Sequence, residues 1–156
     1  MPSDSPTVSV QRAEPRAFAA VRARVPLARV PAVFGQYLDQ VYAAGRAGAV
    51  QLDGQNILVY RDGARPGDDA EVEFGVGSKG PFVPTGAVVA SELPSGEVAH
   101  CTHWGDYARL GTAHAAVIAW CEAHGRKRAG PRWEIYGHWT NDPTQVRTDV
   151  YYLLVP

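Results

Sequence analysis

The run Trp133-Glu134-Ile135-Tyr136-Gly137-His138-Trp139 places a carboxylate among aromatic and β-branched residues. Pro131 bounds it on one side and Asn141-Asp142-Pro143 on the other, so the run predicts a strand whose side chains alternate between faces. Glu134, Tyr136 and His138 then share one face, and Trp133, Ile135 and Trp139 the other. A Glu in such partly apolar surroundings has to be paired, be protonated, or receive a cationic or hydrogen-bonding ligand. A Glu at a sheet edge, reaching water or a neighbouring Arg, is the alternative.

The elements that must hold these residues follow from periodicity and turn chemistry. Residues 8–25 are rich in Val, Phe and Ala, and Pro15 divides them into a lead-in and a strand over 17–25 that Pro26 ends. Val30, Val33, Phe34, Tyr37, Leu38, Val41 and Tyr42 recur at three- and four-residue steps, predicting a helix over 30–44 stopped by Gly45 and Gly48. Strands are expected over 56–60 and 71–76, joined by the turn-rich segment 61–69. A Gly/Pro-rich connector over 77–86 follows, and then the order returns: strand 97–104, helix 107–124 closed by Gly125, strand 133–139 and strand 148–155. Leu110, His114, Val117, Ile118 and Cys121 form the stripe of the second helix. Matching Tyr60 to Tyr136 and Phe74 to Tyr152 gives offsets of about 76 and 78 residues, the sign of a duplicated strand-helix-strand-strand unit. Leu58 then holds the place in the first half that Glu134 holds in the second.

Composition narrows the function classes. A chain of 156 residues buries roughly 70% of its unfolded surface, enough for a core without staples. The 15 Lys+Arg are balanced by 16 Asp+Glu, so no overall positive field exists to hold phosphate backbones, and direct nucleic-acid binding is not expected. Cys101 and Cys121 make no disulfide framework, residues 1–7 read as a disordered leader without signal-peptide features, and no apolar run has membrane-spanning length. The expected compartment is the cytoplasm. Gly75-Val76-Gly77-Ser78-Lys79-Gly80 spells a phosphate-binding glycine pattern, but Pro81 and Pro84 stand where its helix should begin, and no cofactor is expected. His100, Cys101 and His103 lie on alternating strand faces and do not make a metal set. Arg126-Lys127-Arg128 reads as a solvated turn at a helix exit, where cations suit the dipole.

The series His103-Trp104-Gly105-Asp106-Tyr107, an amphipathic helix ending in Gly125, Glu134-Ile135-Tyr136, Asn141-Asp142-Pro143 and Arg147-Thr148-Asp149-Val150-Tyr151 resembles the GyrI-like family. That family includes effector-binding domains of the Rob and BmrR regulators and the gyrase inhibitor SbmC. The resemblance spans residues 8–156, with halves of about 8–80 and 86–156; Asp106 departs from it, standing where the family usually has Pro. It implies an α+β fold of two tandem pseudo-symmetric βαββ units: an antiparallel sheet, two helices and a ligand cleft between the halves. It also implies that Glu134 matches the family's central acidic residue, which meets cationic or polar groups of bound aromatic compounds.

On matching inner faces Tyr60, Phe74, Glu134, Tyr136 and Tyr152 would form an aromatic box with one charge; Tyr37 and Trp104 would wall it, and His138 shares Glu134's face. Phe34, Val117, Trp120 and Trp133 are assigned to the core. The expected function is binding of hydrophobic or aromatic, often cationic, small molecules by a stand-alone sensor or sequestering protein. DNA-reading helices of the Rob and BmrR kind would need a segment before Val8. Two alternatives stay open: a hydrolase opening strained cyclopropane rings of DNA-alkylating natural products, with Glu134 and Tyr136 as its working pair, and a gyrase-inhibitor-like protein with a protein partner.

Overall fold

The computed structural model describes residues 6–138 and 140–156, so most of the expected leader, and Trp139, lie outside the described residues. The elements are β1 (Val8–Ala13), β2 (Ala17–Pro26), α1 (Val30–Arg46), β3 (Leu52–Tyr60), β4 (Asp69–Ser78), β5 (Val88–Glu92), β6 (Gly96–Trp104), α2 (Leu110–Ala123), β7 (Arg128–Tyr136) and β8 (Arg147–Leu154). All eight strands join one antiparallel sheet in the order β1-β6-β8-β7-β3-β4-β2-β5. Two βαββ units, β2-α1-β3-β4 and β6-α2-β7-β8, meet at the β3–β7 pair, as the repeated order predicts. Short 3-10 turns, Leu27–Arg29 and Tyr107–Arg109, lead into the two helices, which open 80 residues apart.

Leu58 pairs with Glu134 across the centre of the sheet. On the flanking strands Phe74 pairs with Leu58, and Val150 with Glu134. If Tyr60 matches Tyr136, the counterpart of Phe74 is therefore Val150. The expected match of Phe74 to Tyr152 aligns aromatic with aromatic, whereas the register sets Tyr152 opposite Arg132, one residue pair further along.

Both faces of the sheet are covered. One carries the helices: Leu38 and Val41 of α1 pack on Val21 and Val76, while Ala113, Val117 and Cys121 of α2 pack on Ala99, Cys101 and Val150. On the other face Phe18, Ala20, Ile57, Val59, Val98 and Trp133 form a core of their own, with Trp133 stacked on Tyr151 at 5.7 Å. Chain connectivity encloses that second core. β1 and β2 sit six strand spacings apart, about 29 Å in a flat sheet, yet residues 14–16 that join them reach only about 15 Å. The sheet has to curl until its edges approach. β1 and β5 do this symmetrically, each crossing to the edge of the other half, β1 onto β6 and β5 onto β2. Neither is expected as a paired strand from the sequence.

Candidate functional site

Antiparallel partners share a face, so the registers place Tyr60, Phe74, Arg132, Glu134, Tyr136, Val150 and Tyr152 together on the helix side. Glu134 is 4% exposed. A carboxylate held this deep needs donors, and it has two. The Tyr136 hydroxyl donates to its Oε1, and His114 Nε2 lies 2.5 Å from its Oε2. His114 Nδ1 is 2.7 Å from the Tyr152 hydroxyl. With Glu134 as the acceptor, Nε2 carries a proton, and in the neutral form of the ring Nδ1 accepts from Tyr152. The result is a continuous chain, Tyr152–His114–Glu134–Tyr136, running from α2 across β8 and β7.

This chain lies beside a cleft of about 990 Å³ lined from both halves. α2 supplies Leu110, His114, Ile118 and Cys121; β7 supplies Arg132 and Glu134; β3 gives Tyr60 and β8 Tyr152. The Arg132 guanidinium sits 4.6 Å from the centre of the Tyr60 ring and 6.0 Å from that of Tyr152, and it donates to the Ala64 carbonyl. Burial pushes the Tyr152 hydroxyl up to about 12; Arg132 opposes this and Glu134 adds to it. Burial, reinforced by Glu134, likewise raises Tyr60, with Arg132 opposing. Tyr136 rises well above its ordinary value through burial and then the adjacent Glu134 charge. All three phenols stay protonated as hydrogen-bond donors at neutral pH.

Of the residues expected at the cleft, Glu134, Tyr60 and Tyr152 line it. Tyr136 serves it from behind, packed 5.5 Å from Phe34 and 5.7 Å from Tyr107. Phe74 is fully buried with Tyr37 stacked on it at 4.8 Å, so these two fill space under α1 instead of walling an opening. Trp104 pairs with Arg147 and so points to the sheet face away from His103, Glu134 and the helices; it is 53% exposed beneath the Arg147 guanidinium. Its place at the end of β6, one residue after His103, sets that parity. His138 is exposed beyond the end of β7.

In the sequence His114 reads as one more stripe residue of a helix, and the expected strand begins at Trp133, just after Arg132. Two signals point to both residues, a His at an inward helical position and an Arg two residues before the Glu on the same strand face. The basic turn is exposed at Lys127 and Arg128, as expected, and Arg126, Lys127 and Arg128 also line the cleft, after Gly125, at φ 64°, turns the chain out of α2. Asp106 accepts from the Ala108 amide, its carbonyl pairs with His103 Nε2 at 2.8 Å, and a Pro there could not cap in this way. Gly75 to Ser78 of the glycine-rich motif form the end of β4: a Cβ on Gly75 would meet the Ala19 carbonyl and the Phe18 ring.

The sequence model of a family described as "GyrI-like small molecule binding domain" matches residues 6–154. Among solved structures, the C-terminal domain of EcmrR aligns with a TM-score of 0.75 at 16% identity, over 96% of this chain and 98% of that one. The EcmrR–DNA complex aligns with a TM-score of 0.80 at 15% identity; the present chain spans 57% of that longer protein. A protein named SAV2435, solved bound to tetraphenylphosphonium, aligns at 0.67 and 9% identity over 96% and 94% of the two chains. A hydrolase from Listeria innocua aligns at 0.58 and 13% identity, over 97% and 94%. These likenesses show a shared fold. No curated protein matches the chain. None of the described helices is long and apolar enough to cross a membrane.

Proposed function

Because the chain belongs to the GyrI-like family of small-molecule-binding domains, we propose that the cleft over Glu134 takes up hydrophobic and aromatic compounds as a cytoplasmic sensing or sequestering module of the multidrug or metabolite kind. The observation that carries this reading is the cleft of about 990 Å³, whose walls combine Leu110, Ile118 and tyrosine rings with a few convergent polar groups. Tyr152, His114, Glu134 and Tyr136 are already hydrogen-bonded to one another, so an aromatic ligand can enter without stranding the buried Glu134 charge. Heat-induced unfolding with a panel of aromatic dyes is the first test. Compounds that fit should raise the melting temperature in proportion to the logarithm of their concentration. A panel without effect at concentrations near their solubility limits would refute the reading.

The expectation of a cationic ligand rests on Glu134 and on the aromatic faces around it. In this arrangement a cation at the carboxylate competes with the His114 and Tyr136 donors, and a cation at the Tyr60 ring meets the Arg132 guanidinium already there.

The direct contact between His114 and Glu134 favours a second reading, hydrolysis of a strained cyclopropyl ring. Water's oxygen would bond to one ring carbon while its proton passes to Glu134. The electron pair of the broken carbon–carbon bond would stay on the other ring carbon, which takes a proton from Tyr152. Glu134 would then release its proton to solvent water in the cleft and the Tyr152 phenolate would take one from it, leaving the protein unchanged. Tyr152 replaces Tyr136 in this role because Tyr152 lines the cleft. Loss of the ring chromophore of a cyclopropyl substrate, abolished by Glu134→Gln, would support it; substrate bound but recovered intact would exclude it.

A further inference from the structure

The cleft is more basic than the chain that forms it. Arg65 comes from the loop after β3, Lys127 and Arg128 from the turn into β7, and Arg132 from its wall. Arg126 also stands at the mouth but is tied to Glu97 at 2.7 Å. Among the described residues, Arg65, Lys127, Arg128 and Arg132 form no salt bridge. The carboxylates that line the cleft are Glu122 and Glu134, and Glu134 is committed to His114 and Tyr136. The aromatic faces that would attract a lipophilic cation already have one, the Arg132 guanidinium over Tyr60 and near Tyr152. An arriving cation would meet like charge and an occupied stacking position. An anion would meet guanidinium groups that no carboxylate neutralises, inside a concave site that strengthens the attraction over its value in open water.

We propose that the cleft selects aromatic, amphipathic ligands that carry an anionic group. The anion lies against Arg132 and the Lys127–Arg128 mouth, and the ring system packs on Leu110 and Ile118 of α2. The proposal rests on the small-molecule reading of the same cleft and adds to it the sign of the ligand's charge.

Tetraphenylborate and tetraphenylphosphonium have nearly the same shape and opposite charge, which makes them the direct comparison. Each would be titrated calorimetrically into the full chain at fixed, low ionic strength, with the neutral dye Nile red as a third probe. Tetraphenylborate should bind at least tenfold more tightly than tetraphenylphosphonium, with the ratio shrinking as salt is added. Arg132→Gln should weaken the borate at least fivefold and leave Nile red within about twofold. The paired surface change Lys127→Gln with Arg128→Gln, made at exposed positions away from the core, should lower the borate affinity in the same direction and provides the test should Arg132→Gln fail to fold. Phosphonium binding equal to or tighter than borate, with Nile red bound, would overturn the charge preference alone. Failure of all three probes to bind would remove the small-molecule reading with it.

Discussion

Phe34 and His114 each stand four residues into their helices, and Leu58 and Glu134 face each other beneath them. The first half fills this position with an apolar pair, and the second fills it with a hydrogen-bonded pair. Replacing Glu134 by Leu strands His114 Nε2 and the Tyr136 hydroxyl, which should cost about 2–4 kcal/mol; His114→Phe leaves Glu134 and Tyr152 each one partner short. In the double variant each removed group no longer misses the other. Its loss of stability in urea should fall short of the sum by about 1 kcal/mol or more, and strict additivity would show the pair to be uncoupled. The buried phenols give a prediction in alkali. Tyr152 is raised in the folded state, so its contribution is fully present below its unfolded value near 10 and is lost as pH rises through about 12. Tyr60 and Tyr136 shift the same way. Stability should fall above pH 10 by up to about 1.4 kcal/mol per pH unit for each phenol, and Tyr152→Phe should make the slope shallower. Glu134 was legible in the sequence because a carboxylate set among aromatic residues requires a partner or a ligand wherever the strand is buried. His114 was not, since on a helical stripe a His reads like any other half-apolar core residue until the strand beneath it is known.

At the scale of elements, both helices and the strands of the two repeats were legible from period and punctuation, and Gly125 ends α2 as read. β1 and β5 were not. Their residues alternate only weakly, and what makes them strands is a long-range partner on the opposite half. Strand parity misled at Trp104, because a one-residue step reverses the face and no local signal told which face the helices would cover. Two substitutions test the elements. Gly75→Ala would drive a methyl group to about 2.5 Å from the Ala19 carbonyl and against the fully buried Phe18 ring, so β2 and β4 must separate; a loss of about 2 kcal/mol is expected in urea. Asp106→Ala removes the cap on the turn into α2 and should cost about 1 kcal/mol, with Asp106→Asn recovering most of it. A Gly75→Ala variant as stable as the parent would contradict the packing of Phe18 across β4.

For the molecule as a whole, the near balance of 15 basic against 16 acidic residues conceals a local excess of positive charge at the cleft. Composition cannot reveal such a patch, because it forms only when the loop after β3 and the turn into β7 converge. The curled sheet explains the asymmetry of the cleft: its closed face is filled by Trp133 and Phe18, and under α1 the helix face is filled by Tyr37 and Phe74, so open space remains beside α2. Ligands are expected to bind in that space. Ile118 lines it and takes no part in the hydrogen bonds of the Tyr152–His114–Glu134–Tyr136 chain, and Ile118→Trp would occupy it from the helix side. The decisive measurement is therefore calorimetric titration of one aromatic ligand that binds the parent chain against Ile118→Trp of matched melting temperature. A loss of affinity of tenfold or more is predicted, and unchanged binding by the filled variant would contradict the assignment of this cleft.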